Sequence, residues 1–157
     1  IWVPRESDQG RLMRSRKRIA RYLAGGGTLV VLDEIVRPWL GPVDWRRGRP
    51  DVETFTLAEH AILAGIEGTD LHWHGHGVLW PAPGAVTLVG EAGGGAVLVV
   101  DERSWAPGRV LLGTLDPDAH IGYGSDLPRP LVRGILRWID GPPSEAAREP
   151  AGMVVAM

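Results

Sequence analysis

The sequence predicts an α/β domain with a partly mixed sheet. An apolar segment at residues 1–4, an amphipathic segment, and a continuous apolar run at 28–33 follow one another. Continuous apolar runs bounded by glycine are typical of strands covered on both faces. The strand, helix and strand form a βαβ unit, whose crossover is right-handed in nearly all proteins. Later strand-like segments are joined by short turns, which favours hairpins and therefore a mixed sheet.

The first helix is predicted to start after Ser7 or Asp8 and to end near Ala24, before three consecutive glycines. Apolar residues at helical spacing give this helix one buried face. Its basic residues lie on the other face, which we interpret as solvated rather than as a nucleic-acid site, because the chain has a net charge of -2. These basic residues are Arg11, Arg14, Arg16, Lys17, Arg18 and Arg21.

The remaining elements are predicted from apolar runs between glycines and prolines. Further strands are predicted at 71–80, 85–90, 96–101 and 109–115, a helical turn at 59–63, and a final helix from Pro128. Residues 35–56 show no period and are predicted to be irregular. The final helix is expected to bury Leu131, Ile135, Leu136 and Ile139. We expect the deepest core to consist of Leu29, Val31, Leu98, Val100, Val110 and Leu112, in adjacent strands of one sheet.

Length and composition exclude several classes of protein. The 157 residues suit a single domain, which we place at 1–140, with a loosely ordered tail rich in Pro, Ala and Glu at 141–157. With no cysteine, the chain forms neither disulfides nor thiolate metal sites, and we expect a cytoplasmic location. No apolar run reaches the roughly 18 residues that span a bilayer. We therefore expect neither a membrane nor a nucleic acid as partner.

Polar residues follow two of the apolar strands. Asp33 and Glu34 end the run at 28–33, and Asp116 and His120 follow the strand at 109–115. If these strands are parallel neighbours, their carboxyl ends share one edge, where ligands gather in open α/β sheets. A carboxylate beside an imidazole raises its basicity and gives a candidate catalytic pair. The alternative, left open, is that the acids only form a turn and cap local amides.

The string at 72–76 carries three histidines with a tryptophan among them. On a strand, His72, His74 and His76 would project from one face and could hold zinc. Successive histidines would lie nearly 7 Å apart along the strand, so three meet one ion only if the strand bends. We therefore favour a half-exposed polar face over a metal site.

Several other residues are candidates for ligand contacts. His60 would line the cleft or cap a local turn. Trp39 lies near a predicted loop, where a tryptophan can stack on a sugar ring or bury in an interface, or else pack under the loop. The basic stretch at 46–49 could bind an anionic substrate or be simply exposed.

The order of these elements, with the stretches YLAGGGTLVVLDE, HAILAGI, GRVLLGTLDPDAH and LVRGILRWI, resembles the class I glutamine amidotransferase-like superfamily. Within it, the chain is most similar to trehalose-utilisation-protein-like and related uncharacterised members. The resemblance spans most of 1–140 and implies a flavodoxin-like three-layer sandwich with a mostly parallel, partly mixed sheet. Such domains begin with one more strand and helix, so we expect this chain to lack the first βα unit.

The chain departs from that family at its catalytic positions. Where catalytic members carry a cysteine after a strand, this chain reads Asp33-Glu34-Ile35. Where they carry His-Pro-Glu, it reads Asp-Pro-Asp-Ala-His over 116–120, which keeps a histidine without the glutamate pattern. A thioester cannot form without a thiolate, so glutamine hydrolysis is excluded for this chain.

Three functions remain as hypotheses. The first is a non-glutaminase domain that binds a small polar, carbohydrate-related ligand, with Asp33, Glu34, Asp116 and His120 in its site. The second is a catalytically silent interaction domain, whose partners would be a second copy or other domains of a parent protein. The third is a metal-dependent hydrolase that uses the histidines. No cofactor is expected for the first two.

Overall fold

The computed structural model describes residues 1–3, 9–32, 44–73 and 75–142. Within these ranges the strands are β1 Trp2–Val3, β2 Thr28–Leu32, β3 Asp44–Arg47, β4 Thr56–Leu57, β5 Gly77–Trp80, β6 Val86–Gly90, β7 Ala96–Asp101 and β8 Arg109–Gly113. The α-helices are α1 Gln9–Ala24, α2 Pro117–Gly122 and α3 Arg129–Asp140. Short 3₁₀ turns cover Val52–Thr54, Ala61–Leu63 and Gly68–Leu71. None of the described helices is both long and apolar enough to cross a membrane.

All eight described strands belong to one mixed sheet. Its main order is β1-β2-β8-β7-β5-β3, and β6 pairs with β7 and β4. Strand β2 is parallel to both of its neighbours, β1 and β8. The other pairs are antiparallel: β3 with β5, β4 with β6, β5 with β7, β6 with β7, and β7 with β8. Leu32 lies opposite Gly113, so β2 and β8 end at the same edge. The predicted α/β class and mixed sheet are confirmed, and so is the parallel pairing of these two strands.

Helices cover both faces of the sheet. Alternate residues of β2 point to opposite sides: Val30 packs in a cluster with Ile135 of α3, and Val31 in a cluster with Leu23 of α1. This alternation explains the continuous apolar run, because a strand buried on both faces has no polar side. The three-layer sandwich predicted from the sequence is confirmed. All six predicted core residues are buried, with at most 5% of any one exposed.

Several predicted boundaries are wrong. The strand predicted at 71–80 begins only at Gly77, because the preceding chain ends a 3₁₀ turn and the buried Trp73 donates its indole N–H to the Asp70 carbonyl at 2.9 Å. The strand predicted to end at 115 ends at Gly113. Leu136 is 48% exposed, since α3 turns its buried stripe of Leu131, Ile135 and Trp138 away from it.

The stretch predicted to be irregular at 35–56 contains β3, a 3₁₀ turn and the start of β4 in its described part. β3 is held by antiparallel pairing with β5, a contact between segments about thirty residues apart. Local periodicity carries no signal for such a pairing, because each strand needs its partner to form. Residues 143–157 of the predicted tail lie outside the described residues.

Helix α3 packs closely on the 3₁₀ turn at Ala61–Leu63. Gly134 lies at this contact, where a methyl group would overlap the carbonyl oxygen of Ile62. The absence of a side chain therefore allows the backbone of the turn to approach the helix, which fixes α3 over this face of the sheet.

We expect Gly134→Ala to lower the free energy of unfolding by about 1–3 kcal/mol, because the added methyl group forces apart two packed backbones. The matched control is Gly122→Ala, where an added Cβ would contact nothing within 4 Å. Urea denaturation of both variants measures the difference. Equal stability of the two variants would contradict the packing described above.

Candidate functional site

Asp116 lies just beyond the end of β8 and is only 1% exposed. The chain leaves the sheet here and enters α2, with Asp116 as the N-cap residue and Pro117 in the first turn. The Asp116 side chain makes no capping hydrogen bond to this helix. Its buried carboxylate lies instead beside two histidines of the described part of the chain.

His76 reaches Asp116 from a distant part of the sequence. Gly75 forms an isolated antiparallel bridge with Leu115, and the His76 N–H donates to the Thr114 carbonyl at 2.9 Å. This bridge places His76 Nε2 3.1 Å from Asp116 Oδ2. A Cβ on Gly75 would lie 3.4 Å from the same Thr114 carbonyl oxygen and closer still to Pro50, so the approach leaves little room for a side chain.

His120 approaches the same carboxylate from within α2. It stands four residues after Asp116, a spacing that brings side chains together on a helix. Its Nδ1 lies 3.1 Å from Asp116 Oδ1 and 3.2 Å from the Asp116 main-chain oxygen. The imidazole also packs beside the buried Trp73, with ring centroids 5.3 Å apart. We call His76, Asp116 and His120 the His–Asp–His cluster.

The chemistry of the carboxylate determines the histidine tautomers. An ionised carboxylate and a carbonyl oxygen only accept hydrogen bonds, so His76 carries its proton on Nε2 and His120 on Nδ1. The side chains of His76 and His120 are 18% and 16% exposed, against 1% for Asp116. The two imidazoles thus form the accessible part of the cluster, and the buried carboxylate lies 3.1 Å from a nitrogen of each ring.

The structure brings together Asp116 and His120 from the predicted catalytic group. Asp33, Glu34 and Trp39 lie outside the described residues. The carboxyl end of β2, at Leu32, is nevertheless described, and it lies at the same edge as the end of β8. This is the arrangement that favours a ligand site in α/β sheets.

Two of the three histidines predicted to bind a metal, His72 and His76, contact different acidic residues in the structure. His76 joins Asp116, whereas His72 follows a 3₁₀ turn and lies 3.6 Å from Glu53 Oε1. His74 lies outside the described residues. The strand geometry that would align these side chains is absent over 72–73, which form a bend. Among the described residues, no group of three His, Asp or Glu side chains could hold a metal ion.

His60 is a local cap in the observed structure. Its Nδ1 accepts a hydrogen bond from the Ile62 N–H at 3.2 Å. Burial lowers the pKa of His60, and the carboxylate of Glu102 partly opposes this shift. Glu102 follows β7 next to the pairing of Asp101 with Val110, at the other end of β8 from Asp116. His60 borders an open hollow of about 610 Å³ lined by Ala58, Glu59, Ala61, Leu63 and Ala64.

Comparisons with known proteins found no match to this chain. No protein-family model matches the chain, and no curated protein or solved structure shows significant similarity to it. Sequence reasoning missed the pairing of His76 with Asp116, since the two residues are 40 positions apart and only the bridge at Gly75 brings them together.

We expect Asp116→Asn to change the tautomer of His76 but not that of His120. The His120 Nδ1 proton keeps the main-chain oxygen of residue 116 as its acceptor, so the tautomer of His120 stays the same. The asparagine NH₂ group can donate to His76 Nε2, which then has to lose its proton, so the proton of His76 moves to Nδ1. Long-range ¹H–¹⁵N NMR spectra of the imidazoles report the protonated nitrogen directly. A His76 ring that keeps its Nε2 proton would contradict the tautomers assigned above.

We expect His60→Asn to reduce the loss of stability in mild acid. Because the pKa of His60 is lower in the folded protein, the unfolded chain binds the proton more readily, and stability falls as the pH drops below about 6.5. Asparagine is a good N-cap and does not titrate. Urea denaturation at pH 7 and pH 5 measures the slope. Equal slopes for both proteins would show that His60 does not contribute.

Proposed function

We propose that this chain is a non-glutaminase, amidotransferase-like domain that binds a small polar ligand at the carboxyl ends of β2 and β8. The observation that carries the proposal is the His–Asp–His cluster, in which two histidines from distant parts of the chain each lie 3.1 Å from one buried carboxylate. Burying a carboxylate is costly unless it is paired. The pairing leaves two oriented imidazoles at the edge of the sheet where ligands bind in this class of fold.

The cluster suits a ligand that carries hydroxyl groups. The side chains of His76 and His120 are partly exposed beside the buried carboxylate, and imidazole nitrogens form hydrogen bonds with hydroxyl groups. A carbohydrate offers several hydroxyls at fixed separations, which agrees with the resemblance to the trehalose-utilisation group.

Binding of glucose and of trehalose tests this proposal. We expect both sugars to shift the imidazole signals of His76 and His120 in ¹H–¹⁵N spectra, and His120→Ala to weaken binding about tenfold, the effect of roughly 1.4 kcal/mol. The matched control is His72→Ala, because His72 lies beside Glu53 and not Asp116. This variant should bind like the unmodified chain.

Two further measurements complete the test. Thermal denaturation of His120→Ala separates a loss of ligand contacts from a loss of folding, and His120→Gln retains a polar side chain at the position. If neither sugar shifts the two histidines in the folded protein, the carbohydrate proposal is contradicted. The catalytically silent interaction domain is then the better account of the chain.

A further inference from the structure

Helix α1 carries a continuous positive face on its solvent side. The helix, Gln9–Ala24, contains six basic residues and no acidic residue. Arg14, Lys17, Arg18 and Arg21 stand at positions i, i+3, i+4 and i+7, which share one face of an α-helix. All four are exposed. This basic face extends over about 10 Å of the helix axis, since each residue adds about 1.5 Å.

The opposite side of α1 is buried, which fixes the direction of the basic face. Ile19 and Leu23 pack in the core cluster that contains Leu29 and Val31 of β2. Three residues separate Ala24 from β2, so the C-terminal half of α1 lies at the amino end of that strand. The His–Asp–His cluster lies beyond the carboxyl ends of the strands, and the basic face is therefore separate from it.

The charges of the basic face are not neutralised by neighbours. In the part of the chain that the structure describes, no ion pair involves Lys17, Arg18 or Arg21. Like charges three and four residues apart destabilise a helix. The helix dipole offsets this cost for Arg21, which lies in the last turn, but not for the cations in the middle of the helix. An anionic partner would remove the repulsion along the whole face.

The charge balance of the chain favours one class of anionic partner. Of 17 basic and 19 acidic residues, α1 holds six basic and no acidic ones, which leaves 11 basic and 19 acidic residues and a net charge of -8 elsewhere. A nucleic-acid duplex carries one charge per about 1.7 Å and extends far beyond a face of about 10 Å, so this remainder would repel it. A membrane would gain no apolar insertion, because the apolar side of α1 is in the core.

We propose that α1 is a docking surface for an acidic helix of a partner protein, whose carboxylates pair with Lys17, Arg18 and Arg21. A helix with acidic residues at i, i+3, i+4 and i+7 presents negative charge over the same length and at the same spacing as the basic face. Exposed ion pairs are individually weak and are screened by salt, so the affinity falls as the ionic strength rises. This surface is independent of sugar binding at the His–Asp–His cluster.

The probe for this proposal is a synthetic peptide of about 18 residues, long enough to form a helix, with Glu along one face and Ala and Gln elsewhere. Fluorescence anisotropy measures its binding at about 50 mM and about 150 mM salt. We expect Lys17→Gln/Arg21→Gln to weaken binding about fivefold at the lower salt concentration. The matched control is Arg133→Gln/Arg137→Gln, which removes two exposed arginines at the same spacing on α3 and should leave binding unchanged.

A charge reversal gives a second, independent readout. Lys17→Glu/Arg21→Glu should lose the acidic peptide and bind a peptide in which each Glu is replaced by Lys, and circular dichroism checks that the variant is folded.

Three outcomes would overturn the proposal. The first is unchanged binding of the acidic peptide by Lys17→Gln/Arg21→Gln. The second is equally tight binding of a peptide of the same composition whose Glu residues are distributed around the helix, which would indicate bulk charge alone. The third is tighter binding of a DNA duplex, or of vesicles of phosphatidylserine and phosphatidylcholine, than of the acidic peptide at about 150 mM salt.

Discussion

The pairing of β8 on both sides is the constraint on which the rest of the structure depends. This strand is parallel to β2 on one edge and antiparallel to β7 on the other, and helices cover both its faces. Its five residues Arg109–Gly113 are all buried. A strand enclosed in this way exposes polar groups only where it begins and ends. Both ends of β8 indeed carry buried charged residues, and each has a separate role.

Arg109, at the amino end of β8, holds α3 in place. The Arg109 guanidinium donates to the carbonyls of Trp138 and Ile139 at 2.9 Å, and it lies over the Trp138 ring. The Trp138 indole in turn donates to Glu102, which is close to Arg109 as well. Cationic donors suit the unsatisfied carbonyls at a helix C-terminus. This end of the strand therefore uses its charge to hold α3 on the sheet.

The carboxyl end of β8 leads to Asp116, whose carboxylate contacts histidines rather than the terminus of a helix. Asp116 is as deeply buried as the core, yet it pairs with the two partly accessible rings of His76 and His120. A structural acid at an N-cap would bond to the first turn of its helix, and Asp116 does not. This difference favours a ligand site over a purely local turn.

Local patterns in the sequence were enough to predict the main helices and the central strands of this protein, whereas the three-layer arrangement was implied by the family resemblance. Apolar periodicity identified α1, α3 and the central strands, because an element buried on one or both faces needs apolar residues at regular positions in the sequence. The pair Asp116 and His120 was also within reach, since four residues on a helix bring side chains together. The pairing of β3 with β5, and the bridge from Gly75 to Leu115, were not. Contacts between distant segments depend on how the whole sheet packs, so only the tertiary structure placed His76 beside Asp116.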